Sequence, residues 1–67
     1  MVEAHVNGEL RSLDAGMTVA GLLASLGLAG KRVAVECNGE IVPKSRHGDT
    51  LIAPGDRLEI VVAVGGG

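Results

Sequence analysis

Apolar and polar residues alternate from the start of the chain. In MVEAHV, Val2, Ala4 and Val6 fall on one side and Glu3 and His5 on the other, the pattern of a half-buried strand. Asn7-Gly8 follows, a pair that tolerates the positive φ values of a tight hairpin turn, and ELRSL returns as a second strand. Leu10 and Leu13 do not share one face of that strand, so a bulge or an early strand end is expected there. DAGMT breaks the alternation, and the period then becomes helical. Val19, Leu22, Leu23 and Leu26 recur at i, i+3, i+4 and i+7, which is one face of a helix. Thr18 precedes them as an N-cap whose hydroxyl can accept a free first-turn N–H. Gly27 suits the C′ position that ends the helix. Gly21 lies inside the helix, where it costs about 1 kcal/mol relative to alanine. Close packing of helix on sheet is the expected reason for it.

KRVAVECNGEIV restores the strand period. Val33, Val35 and Cys37 share one face, and Ala34 and Glu36 the other. Asn38-Gly39 is a second turn signal, and Ile41-Val42 continue briefly until Pro43 stops them. KSRHGD reads as a polar loop, TLI as a short edge piece, and Pro54-Gly55-Asp56 as a turn. RLEIVVAV is the final strand. Leu58, Ile60, Val62 and Val64 are expected to face the helix, with Arg57, Glu59, Val61 and Ala63 on the opposite side. Hairpin, helix, strand, short strand and strand in this order predict an α+β domain, with one helix laid across a mixed sheet of four or five strands. The domain is expected over residues 1–64, followed by a flexible glycine tail at 65–67.

Composition narrows what holds such a domain together. Sixty-seven residues allow one small core. The single cysteine, Cys37, forms no internal disulfide, and His5 and His47 lack partners at zinc-ligand spacing. Packing of Val, Leu, Ile and Ala must therefore suffice, since the chain has no Phe, Trp or Tyr. The formal net charge is -2, and Arg11, Lys31, Arg32, Lys44, Arg46 and Arg57 are scattered along the sequence. Without a basic run or aromatic platforms for bases, nucleic acid is not an expected partner. No signal peptide and no apolar run of about 18 residues is visible, so no membrane association is expected. An unpaired cysteine fits a reducing compartment, and the cytoplasm is the expected location.

The candidate chemistry lies in Gly65, Gly66 and Gly67. A mobile glycine end without a role is one reading. The other is that glycine, having no Cβ, threads a slot too narrow for side chains and presents an unhindered carboxylate. An adenylating partner could join that carboxylate to AMP, and a sulfur nucleophile could then displace the AMP. The chain would supply no catalytic group of its own.

The motifs VNGE, TVAGLLASL, VAVECNGEIVPK and PGDRLEIV, with the closing GG, occur in the order and spacing of one family. Over nearly its full length the chain resembles the ThiS-type sulfur carrier proteins of thiamine (thiazole) biosynthesis, small members of the ubiquitin-like β-grasp family. The resemblance implies a β-grasp fold and no enzymatic activity. It implies that an E1-like, ATP-consuming adenylyltransferase of the ThiF type activates the Gly67 carboxylate. A thiocarboxylate then forms with sulfur from a cysteine desulfurase route, and it serves a ThiG-type thiazole synthase. It also implies that no cofactor or metal is bound by the chain itself. Gly66 and Gly67 match the family's diglycine, and Gly65 the third glycine of some relatives. The small subunit of molybdopterin synthase shares this chemistry but usually carries prolines before the glycines, where this chain has VVAV. A sulfur carrier of another pathway, such as cysteine biosynthesis, and an interaction module with an inert tail are the remaining alternatives.

Three further features bear on function. Val61 and Ala63, with Ala34, form a small apolar patch on the predicted outer face of the sheet, rimmed by Arg57, Glu36 and Glu59. Such a patch could dock a partner and aim the tail. Cys37 shares a face with Val33 and Val35 and reads as a small buried apolar residue rather than a nucleophile. Ser45, His47 and Asp49, two apart in a loop, show no sign of triad geometry.

Overall fold

The computed structural model describes residues 1–63. Strands β1 (Val2–Val6) and β2 (Glu9–Leu13) form a hairpin, helix α1 (Val19–Ser25) follows, and β3 (Val33–Cys37) and β4 (Glu40–Val42) form a second hairpin. A single 3-10 turn covers Lys44–Arg46, and β5 (Arg57–Val62) closes the described chain. The sheet order is β2-β1-β5-β3-β4, so the last strand takes the central place. It runs parallel to β1 and antiparallel to β3. This mixed five-stranded sheet with one helix across it is the ubiquitin-like β-grasp arrangement.

Both hairpins turn as the sequence indicates. Asn7 and Gly8 have φ of 52° and 84°, Asn38 and Gly39 of 54° and 85°, so both central residues are left-handed in each turn. The core joins β1, β3 and β5 to the inner face of α1, with Ala4, Val6, Val19, Leu22, Val35 and Leu58 at its centre. Leu13 from β2 and Ile52 from the long connection complete one side. Near the same connection, Leu51 bridges to Thr18 in antiparallel fashion, which is the short piece expected at TLI.

The ends of α1 are closed by several devices. Thr18 Oγ1 accepts the Gly21 N–H at 3.0 Å, as an N-cap does. The next free donors, on Val19 and Ala20, reach the carbonyls of Thr50 and His47, both at 2.9 Å. The loop after β4 thus caps the helix, a long-range role that its polar composition did not reveal. At the other end Gly27 takes φ of 75°. Its N–H meets the Ala24 carbonyl and the Leu28 N–H meets that of Leu23, the paired bonds of a Schellman motif.

Three expectations are corrected. No bulge interrupts β2: its register with β1 runs unbroken from Val2↔Leu13 to Val6↔Glu9, and Leu10 instead projects outward opposite His5. Val62 is 38% exposed rather than buried. Seven helical residues span about 10 Å, whereas a six-residue strand spans about 20 Å, so α1 cannot cover β5 to its end. Val64, expected on the same face, lies outside the described residues. Gly21 does not mark contact with the sheet. A Cβ there would meet Met17 Cγ at 3.4 Å and Thr18 Oγ1 at 3.5 Å, ordinary contacts with the segment before the helix. Gly21→Ala is therefore expected to stabilise the fold by about 0.5–1 kcal/mol through its helix propensity. Urea unfolding would check it, and a net loss would mean that Met17 cannot yield.

Candidate functional site

β5 brings the predicted docking residues together because its neighbours hold it in fixed register. Val61 lies opposite Ala34, Glu59 opposite Glu36, and Arg57 opposite His5. Alternation puts all six of these side chains on the face away from α1. Ala34, Glu36, Arg57, Glu59, Val61 and Ala63 are all exposed, Val61 to 63%. Glu36 and Glu59 are like charges directly across from one another, an arrangement that weakens a sheet pair. No basic side chain closes on them, since the one ion pair among the described residues is Arg11 with Glu9 at 3.6 Å. Ile41 extends the same face. It pairs with Glu36 and is 72% exposed, a position visible only once Val42 is seen to turn inward opposite Val35.

Two turn asparagines fix β5 from both sides. The Asn7 N–H donates to the Leu58 carbonyl at 2.9 Å, and Asn7 Oδ1 accepts the Ile60 N–H at 2.7 Å. The Asn7 side chain thereby continues the β1 ladder one step beyond the strand. Across the sheet, Asn38 Oδ1 accepts the Arg57 N–H at 2.9 Å, and Asn38 Nδ2 donates to Asp56 Oδ1 at 3.0 Å. The strand's exit is pinned as well, because the Ala63 N–H donates to the Arg32 carbonyl at 2.9 Å. Gly65, Gly66 and Gly67, the expected reacting segment, lie outside the described residues, as does the proposed boundary between 64 and 65.

The remaining reactive side chains do not assemble into a catalytic group. Burial pushes the Cys37 thiol upward, and the adjacent charge and hydrogen bond of Asp56 and the charge of Glu40 add to the shift. A thiol held protonated is a poor nucleophile at neutral pH. It is half-buried against the core, less enclosed than its sequence pattern suggests. His47 is buried at 7% exposure, with Nε2 3.1 Å from the Val42 carbonyl. A carbonyl cannot donate, so Nε2 carries the proton there. Ser45 and Asp49 remain exposed, and neither side chain is hydrogen-bonded to His47. Among the described residues no group of three or more His, Cys, Asp or Glu is placed to hold a metal ion. No helix among them is long and apolar enough to cross a membrane.

Sheet order and helix placement are shared with known proteins. Residues 4–67 match the ThiS family, a span that takes in nearly the whole chain and all three glycines. This chain belongs to the ThiS family. The crystal structure of a thiamine biosynthesis protein (ThiS) from Geobacter metallireducens superposes with a TM-score of 0.81. It is 32% identical, with 98% of this chain and 100% of that one covered. The sulfur carrier protein ThiS of Bacillus subtilis is 46% identical over 50 residues, covering 75% of this chain and 76% of that protein. A thiazole synthase of Paramagnetospirillum magneticum is 52% identical over 62 residues, or 92% of this chain. The chain spans 19% of that thiazole synthase's length and 20% of a second one from Magnetococcus marinus. A ThiS-like stretch therefore occurs there within a much longer polypeptide.

The ThiS fold also holds functional candidates that the sequence did not display. Lys31, Arg32 and Lys44 read as isolated cations along the chain, yet they line one groove beside α1. No local signal marks this, because Lys44 belongs to the turn after β4 and the other two to the loop before β3.

Proposed function

We propose that this ThiS-family chain is a sulfur carrier for thiazole formation, acted on by partner enzymes and not itself catalytic. The Gly67 carboxylate attacks the α-phosphate of ATP in an E1-like adenylyltransferase, and pyrophosphate leaves. A persulfide from a cysteine desulfurase route then attacks the acyl carbon and AMP leaves, and a thiol reductant cleaves the S–S bond of the resulting acyl disulfide to leave the thiocarboxylate. That thiocarboxylate supplies sulfur to a thiazole synthase. The ATP belongs to the adenylyltransferase, and the carrier needs no bound cofactor. The observation that carries this reading is the family match running through Gly65–Gly67. The occurrence of ThiS-like stretches within thiazole synthases supports the choice of final partner.

In this reading the protein has two parts with different requirements. A partner needs a rigid surface to grip, and the outer face around Val61, Ala63 and Ala34, with Glu36, Glu59 and Arg57 beside it, is held rigid by the ladders on both sides of β5. The reacting end must enter a narrow site, for which glycine is suited. Intact mass after incubation with ATP, the adenylyltransferase and a sulfur source tests the chemistry. A gain equal to the replacement of one oxygen by sulfur, localised to Gly67, is expected. An unchanged mass with active partners would reject the carrier function.

The docking face has its own test. Val61→Asp places a charge at the centre of the apolar patch and is expected to weaken partner binding by about tenfold or more. Its effect on stability should stay within about 0.5 kcal/mol, because the side chain is largely exposed. Titration calorimetry and a thermal melt on one preparation separate the two. Unchanged affinity would move the docking site elsewhere.

A further inference from the structure

A groove of about 580 Å³ lies between the later part of α1, the loop leading into β3 and the turn after β4. Leu23, Leu28 and Val33 give it an apolar lining, and Lys31, Arg32 and Lys44 are its charged side chains. These are three of the six Lys and Arg residues in the chain, and none of the eight Asp and Glu residues lines the groove. The protein as a whole carries a formal charge of -2, so the groove is opposite in sign to the molecule. None of the three cations forms an ion pair among the described residues. Ala34, Val61 and Ala63 also border the groove.

We infer that this groove docks an acidic segment of the thiazole synthase, with one apolar side chain of that segment seated on Leu23 and Leu28. The inference rests on the reading of the chain as the sulfur carrier for thiazole formation. Charge complementarity selects an acidic occupant, because three cations around an apolar floor repel one another until carboxylates approach. The apolar floor selects a segment with a hydrophobic anchor over a simple anion. Position supplies the purpose. Arg32 lines the groove and its carbonyl accepts the Ala63 N–H, so a partner bound here acts beside the end of β5. The synthase is chosen over the other partners because ThiS-like stretches share a polypeptide with thiazole synthase in two relatives.

The test is calorimetric titration of the full chain with the thiazole synthase of the same organism, at low and high salt. The triple substitution K31E/R32E/K44E is expected to raise Kd by about tenfold or more and to remove most of the salt dependence. All three positions are exposed, so its thermal midpoint should stay near that of the wild type. The milder K31Q/R32Q/K44Q should show a smaller loss in the same direction, which separates charge recognition from misfolding. Equal affinity and equal salt slope in wild type and triple variant would overturn the groove while leaving the carrier reading intact. Failure of the wild type to bind the synthase would overturn the partner reading and the groove together. Two measurements on the chain alone address other occupants. Self-association of the wild type that the triple variant lacks would assign the groove to a second copy and overturn the inference. A shift of the Leu28 and Arg32 amide resonances on deleting Gly65–Gly67 would assign it to the chain's own end and also overturn it.

Discussion

Gly67→Val is expected to lower thiocarboxylate formation by about 10²-fold or more without changing the thermal midpoint of the fold. The reasoning is geometric. In the proposed reaction the carboxylate must approach the α-phosphate in line with the departing pyrophosphate, inside a site that admits the backbone alone. A β-branched side chain on the reacting residue adds bulk beside the nucleophile and restricts the φ values that glycine can reach. An error of about 1 Å in such an approach is enough for a loss of this size. Among the described residues the buried core runs from Ala4 to Ile60, and the melt is expected to follow that core. Following the ATP-dependent mass gain of wild type and variant over time, with a melt of each, would decide the matter. Loading at the wild-type rate would remove Gly67 from the chemistry, and a fall in the melt would give it a structural role.

Leu22→Ala should have the opposite profile, with a large loss of stability and an intact reacting end. Leu22 is 1% exposed and lies in the cluster formed by α1 with Val6, Val35 and Leu58. Removing its outer carbons forfeits burial and leaves a cavity, at a cost of about 3 kcal/mol. For a domain of this size that lowers the midpoint by roughly 12–24 °C. No disulfide limits the damage, since Cys37 is the only cysteine. The helix is short, so few neighbouring residues can close over the gap. Urea unfolding read by far-ultraviolet circular dichroism would measure it, the chain having no aromatic residue to report by fluorescence. A loss under about 1 kcal/mol would show that the core collapses into the vacated space. Among molecules still folded at low temperature, loading by the partners should persist.

What the sequence determined by itself is what depends on neighbours along the chain. The Asn-Gly pairs set both hairpins because each needs two adjacent left-handed residues, and both asparagines adopt them. Thr18 and Gly27 bounded α1 because caps act within one helical turn. Alternation sorted Val61 from Ile60, since side chains on a strand have a period of two. The motifs and closing glycines pointed to the family that residues 4–67 match. Tertiary structure decided what depends on distance. Whether Leu10 disrupts β2 was settled by pairing with β1, which keeps register and turns Leu10 outward. Whether Val62 is buried was settled by the length of the helix above it. Asn7 holds Ile60 across 53 positions in sequence, and its turn propensity carries no hint of that partner. Likewise Lys31, Arg32 and Lys44 became one basic groove only when the turn after β4 folded against the helix and the loop into β3. Local preferences act over a few residues, whereas charge and apolar surface combine through space, so the chain displayed its elements and the fold alone displayed that groove.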